Sequence, residues 1–240
     1  MHFRKKAIAF LAAAVLALPM TAVPVAATDT PADWAQDAVW SLQAKQVLRQ
    51  DCYGNYDAPI TRGEFAYLGV RVYELLSGNS LQDKNVSLNN IFLDTNDEYV
   101  RKAFYAGIVQ GYGGGMFGVW DGISREQIAT LLVNAVEQAG NNLTPAGEQF
   151  ADGWQISDWA AESVQKAYGA GILRGTGGGC VSPLEGATRE QALVMVNNIL
   201  SSAGLYAENR AAGNVTPILK WAYGGTQETW CPEAFYSTPT

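Results

Sequence analysis

Thr61-Arg62-Gly63-Glu64, Ser124-Arg125-Glu126-Gln127 and Thr188-Arg189-Glu190-Gln191 are three versions of one tetrad, with the arginine recurring after 63 residues and again after 64. In each, a hydroxyl residue stands three places before Glu or Gln and directly ahead of an apolar run. That is the capping-box pattern of a helix N-terminus. Thr61, Ser124 and Thr188 accept from a first-turn N–H, and Glu64, Gln127 and Gln191 reach back to the capping residue. The arginine then takes the first helical position, where its charge faces the positive end of the helix dipole. Free N–H groups beside a guanidinium suit a carboxylate or another anion. For a single copy, a helix start with a solvated arginine is the simpler reading. Recurrence of the arginine in one slot three times favours the anion.

The repetition extends beyond the tetrad. Residues 102–111 (Lys-Ala-Phe-Tyr-Ala-Gly-Ile-Val-Gln-Gly) align without a gap on 166–175 (Lys-Ala-Tyr-Gly-Ala-Gly-Ile-Leu-Arg-Gly), and three glycines follow in both, at 113–115 and 177–179. A shift of 64 carries Ile128, Leu131, Leu132, Ala135 and Val136 onto Ala192, Met195, Val196, Ile199 and Leu200, so the capped helices share one apolar stripe. Phe65, Leu68, Val72 and Leu76 form the same stripe after Thr61. Asp33-Trp34-Ala35 and Asp158-Trp159-Ala160 open helices in the first and third copies, with Asp33 as a cap. Each unit reads as a helix, a loop and a capped helix, too small to bury its apolar faces alone. The expected fold is all-α. Its repeats fall at 31–77, 92–140 and 150–204, with polar linkers at 78–91 and 141–149.

Residues 1–27 have a basic start (Arg4, Lys5, Lys6), an apolar core from Ala7 to Leu18 and a small-residue exit, Val25-Ala26-Ala27, the pattern of a secretory signal peptide. That core is too short to anchor in a bilayer, and no membrane span is expected elsewhere. Cleavage after Ala27 takes the net charge from −7 to −10 and removes His2, the single histidine. A mature chain without histidine has no Ser-His-Asp relay and no His-containing zinc site. Its acidity argues against nucleic acid. The acidic run 94–98 lacks the glycine and twelfth-position glutamate of an EF-hand, and neither triple glycine continues as a phosphate loop. No cofactor, metal or catalytic residue is expected, and the chain is read as a non-enzyme.

The order Phe-x-Asp, Trp, Gly-Ile, a Gly-rich loop and Thr-Arg-x-Glu, met three times in whole or in part between residues 31 and 204, resembles the S-layer homology repeat in its usual number. The resemblance implies a pseudo-threefold helical bundle whose grooves bind a secondary cell wall polysaccharide, commonly ending in a pyruvylated sugar. It assigns the acidic group to Arg62, Arg125 and Arg189, the family tryptophan to Trp34 and Trp159, and the Phe-x-Asp aspartate to Asp94 and Asp152. It implies an exported protein held non-covalently at the cell wall. Trp34 and Trp159 also suit core anchors, the aspartates suit helix caps or arginine partners, and the glycines suit a tight turn.

The first copy departs from the pattern. It has no Phe-x-Asp, no Gly-Ile pair and no triple glycine, and the second copy has no tryptophan equivalent. Gln replaces the closing Glu in the second and third tetrads, which keeps the cap and removes a charge. Three unequal grooves are therefore expected, with at least one of them silent. A tail at 205–240 carries Tyr206, Trp221, Tyr223, Trp230, Phe235 and Tyr236, and an alternative role for the protein is a scaffold whose tail recruits another envelope protein. Cys52, Cys180 and Cys231 allow one disulfide plus a thiol or three thiols. Cys231 is placed to staple the tail to either of the others, and repeats radiating from a threefold axis disfavour a Cys52–Cys180 bond.

Overall fold

The computed structural model describes residues 30–81 and 91–210, with the backbone alone at 203–210. The expected signal peptide, most of the expected first linker, and the tail from 211 with Cys231 lie outside the described residues. Six α-helices make up the described chain: α1 (Asp33–Ala44), α2 (Arg62–Ser77), α3 (Glu98–Tyr105), α4 (Arg125–Gln138), α5 (Ala161–Gly169) and α6 (Arg189–Arg210). No strand or sheet occurs among the described residues, only isolated bridges. Helix α6 runs six residues past the expected end of the third repeat, because Gly204 weakens a helix without stopping it.

The tetrads cap as their pattern requires. Thr61 Oγ1 and Ser124 Oγ accept from Glu64 and Gln127 N–H, whose side chains return the bond to the capping residues. Thr188 and Gln191 exchange the same two bonds. Asp33, by contrast, is the first residue of α1 and not its cap. Ala32 holds the cap position, and its N–H donates to Glu190 Oε2 at 3.0 Å. Asp97 caps α3 through Tyr99 and Val100 N–H.

The first helix of every repeat ends in one motif. Gly107 and Gly171, at φ 72° and 70°, send their N–H to the Phe104 and Tyr168 carbonyls, and Ile108 and Ile172 donate to Ala103 and Ala167. This is the Schellman turn, in which a left-handed residue after the helix lets two N–H groups close the last carbonyls. The first repeat makes it with Gln46 (φ 55°) and Val47, in place of the absent Gly-Ile pair. Ile108, Ile172 and Val47 are all buried in the core.

Packing pairs helices from different repeats. Helix α2 packs on α3, α4 on α5, and α6 on α1, while α2, α4 and α6 meet at the centre. The two helices of one sequence repeat hardly touch. Each module is thus the capped helix of one repeat and the first helix of the next, and the third repeat hands its module to the first. The core is continuous through all three, from Phe65 and Leu68 to Ile128 and Leu132 to Val196 and Ile199.

Candidate interfaces between the repeats

Three short extended segments meet where the capped helices begin. Pro59 bridges to Thr188, Thr61 to Gly122, and Ser124 to Gly186, so each segment pairs with the other two. Ile60, Ile123 and Ala187 are buried at this junction. From it each capped helix aims its first N–H groups at the loop of the following repeat. Arg62 and Gly63 N–H donate to the Asp121 and Val119 carbonyls, Arg125 and Glu126 N–H to Glu185 and Pro183, and Arg189 and Glu190 N–H to Ala58 and Tyr56, all at 2.9–3.0 Å. The first-turn amides expected to receive an anion are therefore occupied by loop carbonyls.

The arginines follow the same path. Arg62 Nε donates to the Phe117 carbonyl at 3.0 Å and Nη2 to the Gln110 carbonyl at 3.0 Å. Arg125 Nε donates to Val181 at 2.9 Å and Nη2 to Arg174 at 2.7 Å. Both side chains lie under the next repeat's loop, and the two residues are only 5% and 7% exposed. Burial pulls both guanidinium groups below their ordinary pKa, opposed by Tyr112, Asp121 and Asp94 for Arg62 and by Glu185 and Asp152 for Arg125. Arginine remains charged throughout the physiological range regardless. On the face of Arg62 lies the Tyr112 ring, 4.3 Å from Cζ. In both residues Nη1 has no hydrogen-bond partner among the described residues.

Arg189 differs. Its Nη1 donates to the Gly54 carbonyl at 3.4 Å, and its Nη2 pairs with the Glu64 carboxylate. Of the three tetrad arginines, only Arg189 makes an ion pair among the described residues.

Asp94 and Asp152 organise the loops that the arginines grip. Asp94 accepts from Phe117 N–H at 2.9 Å and Gly118 N–H at 2.7 Å, and Asp152 accepts from Val181 N–H at 3.0 Å and Ser182 N–H at 2.7 Å. The Phe117 and Val181 carbonyls then face Arg62 and Arg125. Each interface is a relay of aspartate, loop amide, loop carbonyl and arginine. The two N–H donors hold the Asp94 carboxyl below the usual carboxylate range. In the loops, Gly113 to Gly115 and Gly177 to Gly179 all have left-handed φ, from 58° to 109°, which explains three glycines in a row.

Residues 94–129 and 149–193 match the family model of the S-layer homology domain. These two segments are S-layer homology repeats. The model matches the second and third repeats, and the first repeat shares their cap, terminal turn and loop bonding. An endoglucanase from Bacillus sp. (strain KSM-635) is 36% identical over 103 residues, which is 42% of this chain and 11% of that protein. An amylopullulanase from Thermoanaerobacterium thermosulfurigenes is 26% identical over 187 residues, 73% of this chain and 10% of that one. The surface-layer 125 kDa protein of Lysinibacillus sphaericus is 27% identical over 176 residues, 70% and 14%. The chain thus spans about a seventh or less of these relatives. The family and these relatives support cell-wall association in general terms, and no described helix is long and apolar enough to cross a membrane.

The structure divides the candidate aromatics of these S-layer homology repeats between grooves. Trp159 lies two residues after Ser157, whose N–H and Oγ bind Glu126 in the first turn of α4 at 3.0 and 2.8 Å. Trp34 lies two residues after Ala32, whose N–H is held by Glu190 in the first turn of α6. Both indoles are largely exposed and are not core anchors. The first groove has no such indole. Gly63 replaces the glutamate there, and Tyr112 covers the arginine instead. Sequence reasoning missed Glu126 and Glu190, both buried, although the third tetrad letter already separated them from Gly63. It also missed Trp120 and Trp154, which are 84% and 83% exposed. Trp120 directly precedes Asp121, the acceptor of Arg62 N–H. Its repeat equivalent is exposed Leu184, a correspondence visible at the 64-residue shift.

Proposed function

We propose that the chain is a non-enzymatic anchor that binds a secondary cell wall polysaccharide in the grooves between its repeats. The acidic group, a pyruvylated sugar, is received at Arg62 and Arg125. The observation that carries this reading is that two buried, permanently charged guanidinium groups bond only to backbone carbonyls and leave Nη1 over. A carboxylate supplies the charge that carbonyls lack. Arg62 lies over the exposed Tyr112 ring, and the exposed Trp159 is two residues from Ser157, which bonds the first turn of the Arg125 helix. Such rings suit the apolar face of a pyranose. A Cβ placed on Gly113, Gly114, Gly177 or Gly178 would meet nothing within 4 Å, so the glycine turns offer open backbone to a sugar.

The geometry also decides how to test the proposal. Arg62→Ala and Arg125→Ala strip partners from two carbonyls each and should cost roughly 2–3 kcal/mol, so a loss of binding would be confounded with a loss of fold. Tyr112→Ala and Trp159→Ala remove exposed rings and leave the relays in place. In co-sedimentation with cell wall sacculi, the wild type is expected to pellet with untreated walls and to stay in solution with acid-extracted ones. The double aromatic variant should stay in solution with both while keeping its helical circular dichroism. Equal pelleting on extracted walls, or no pelleting at all, would remove the polysaccharide from consideration.

A further inference from the structure

The three interfaces differ at the fourth tetrad residue. In the first tetrad the Glu64 carboxylate divides its oxygens: Oε2 accepts the Thr61 N–H at 3.0 Å, and Oε1 accepts from Arg189 Nη2. In the second and third tetrads Oε1 of Gln127 and of Gln191 accepts the capping N–H at 3.1 Å. Capping uses the amide oxygen, so the atom left over is Nε2. That atom is a donor, like every nitrogen of a guanidinium.

Glu64, the fourth tetrad residue of the first repeat, meets Arg189 of the third, which precedes it around the ring. In this register Gln127 corresponds to Arg62, and Gln191 to Arg125. Glu64 therefore gives Arg189 an acceptor with a full charge, whereas the glutamines bring a second donor and no charge. Two donors cannot satisfy each other, but together they suit one carboxylate. Beside the Arg189–Glu64 pair, the cavity lined by Cys52, Ile60, Leu68 and Leu193 holds at most one water.

We propose that Glu64 is a built-in carboxylate that keeps the groove between the third and first repeats closed to acidic ligands, while Gln127 and Gln191 act with Arg62 and Arg125 as ligand donors. The protein then has two working acid sites and a third that one substitution opens. This rests on the reading of the arginines as receivers of an acidic sugar. Glu64→Gln retains the cap, because glutamine already serves there in the other two tetrads. Gln127→Glu transfers the lock to the first groove.

Calorimetric titration of the full mature chain with a pyruvyl-ketal hexopyranoside gives the site count. The expected stoichiometry is two for the wild type, three for Glu64→Gln and one for Gln127→Glu. A wild type with three sites, or a Glu64→Gln variant that stays at two, overturns the proposal. Phenylglyoxal modification of the Arg189 peptide, followed by mass spectrometry, reads the masking without any sugar. It should rise in Glu64→Gln, and an unchanged rate also overturns the proposal. If no variant binds the saccharide while Arg189 becomes reactive, the polysaccharide reading fails and the masking by Glu64 stands.

Discussion

Gln46 holds the left-handed turn that Gly107 and Gly171 make in the other repeats. A side chain with a Cβ is strained in that conformation by about 1–2 kcal/mol, which the greater unfolded freedom of glycine partly offsets. Gln46→Gly should therefore stabilise the protein by roughly 0.5–1 kcal/mol, seen as a higher urea midpoint at unchanged slope. The first repeat lacks the Gly-Ile pair that makes this turn in the other two. The backbone keeps the turn, because Val47 still has to enter the core. Asp94 makes the opposite kind of contribution. Its carboxyl is held below the ordinary value near about 3.9, so its stabilisation is complete above that value and is lost as pH falls through the lower folded pKa. Asp94→Asn should lower the melting temperature at pH 7, with the difference from wild type closing in strong acid. A constant offset across that range would mean the loop amides do not depend on the charge.

Helix starts were legible because a capping box is local. Its partners lie three residues apart, and hydroxyl and acid chemistry specify them. The arginine inside the same tetrad was not legible in the same way. Its acceptors are carbonyls 48 to 56 residues along the chain, and a carbonyl leaves no trace in residue type. Helix α2 shows how tightly a capped helix seats on the next loop. A Cβ on Gly63 would fall 2.6 Å from Val119 Cγ2 and 2.9 Å from the Val119 carbonyl oxygen. Gly63→Ala must push the first turn of α2 off the second loop and should cost about 1–3 kcal/mol. Chemical denaturation measures it. A neutral result would mean the loop can retreat without losing the Arg62 bonds.

The ring as a unit makes a prediction that no single repeat makes. Helix α1 covers α6, and residues 54–58 supply the carbonyls for Arg189 and Glu190, so the first and last repeats are joined although they are farthest apart in sequence. Deleting residues 30–60 should therefore uncover α6 and lower the cooperativity of unfolding in the remaining two repeats. A truncated chain with a sharp, wild-type transition would show that the repeats are independent. The residue pattern alone settled the helical class, the threefold period, the tetrad caps and the apolar stripes, since each is written in neighbours a few residues apart. Which helix packs on which was decided by closure of the ring. An apolar stripe states that a face must be buried but not against what, and here each capped helix buries its stripe on the repeat that follows. The fate of the three arginines was settled in the same way. All share one tetrad, yet among the described residues only Arg189 makes a direct ion pair, with Glu64, because the third interface brings that carboxylate from the far end of the chain.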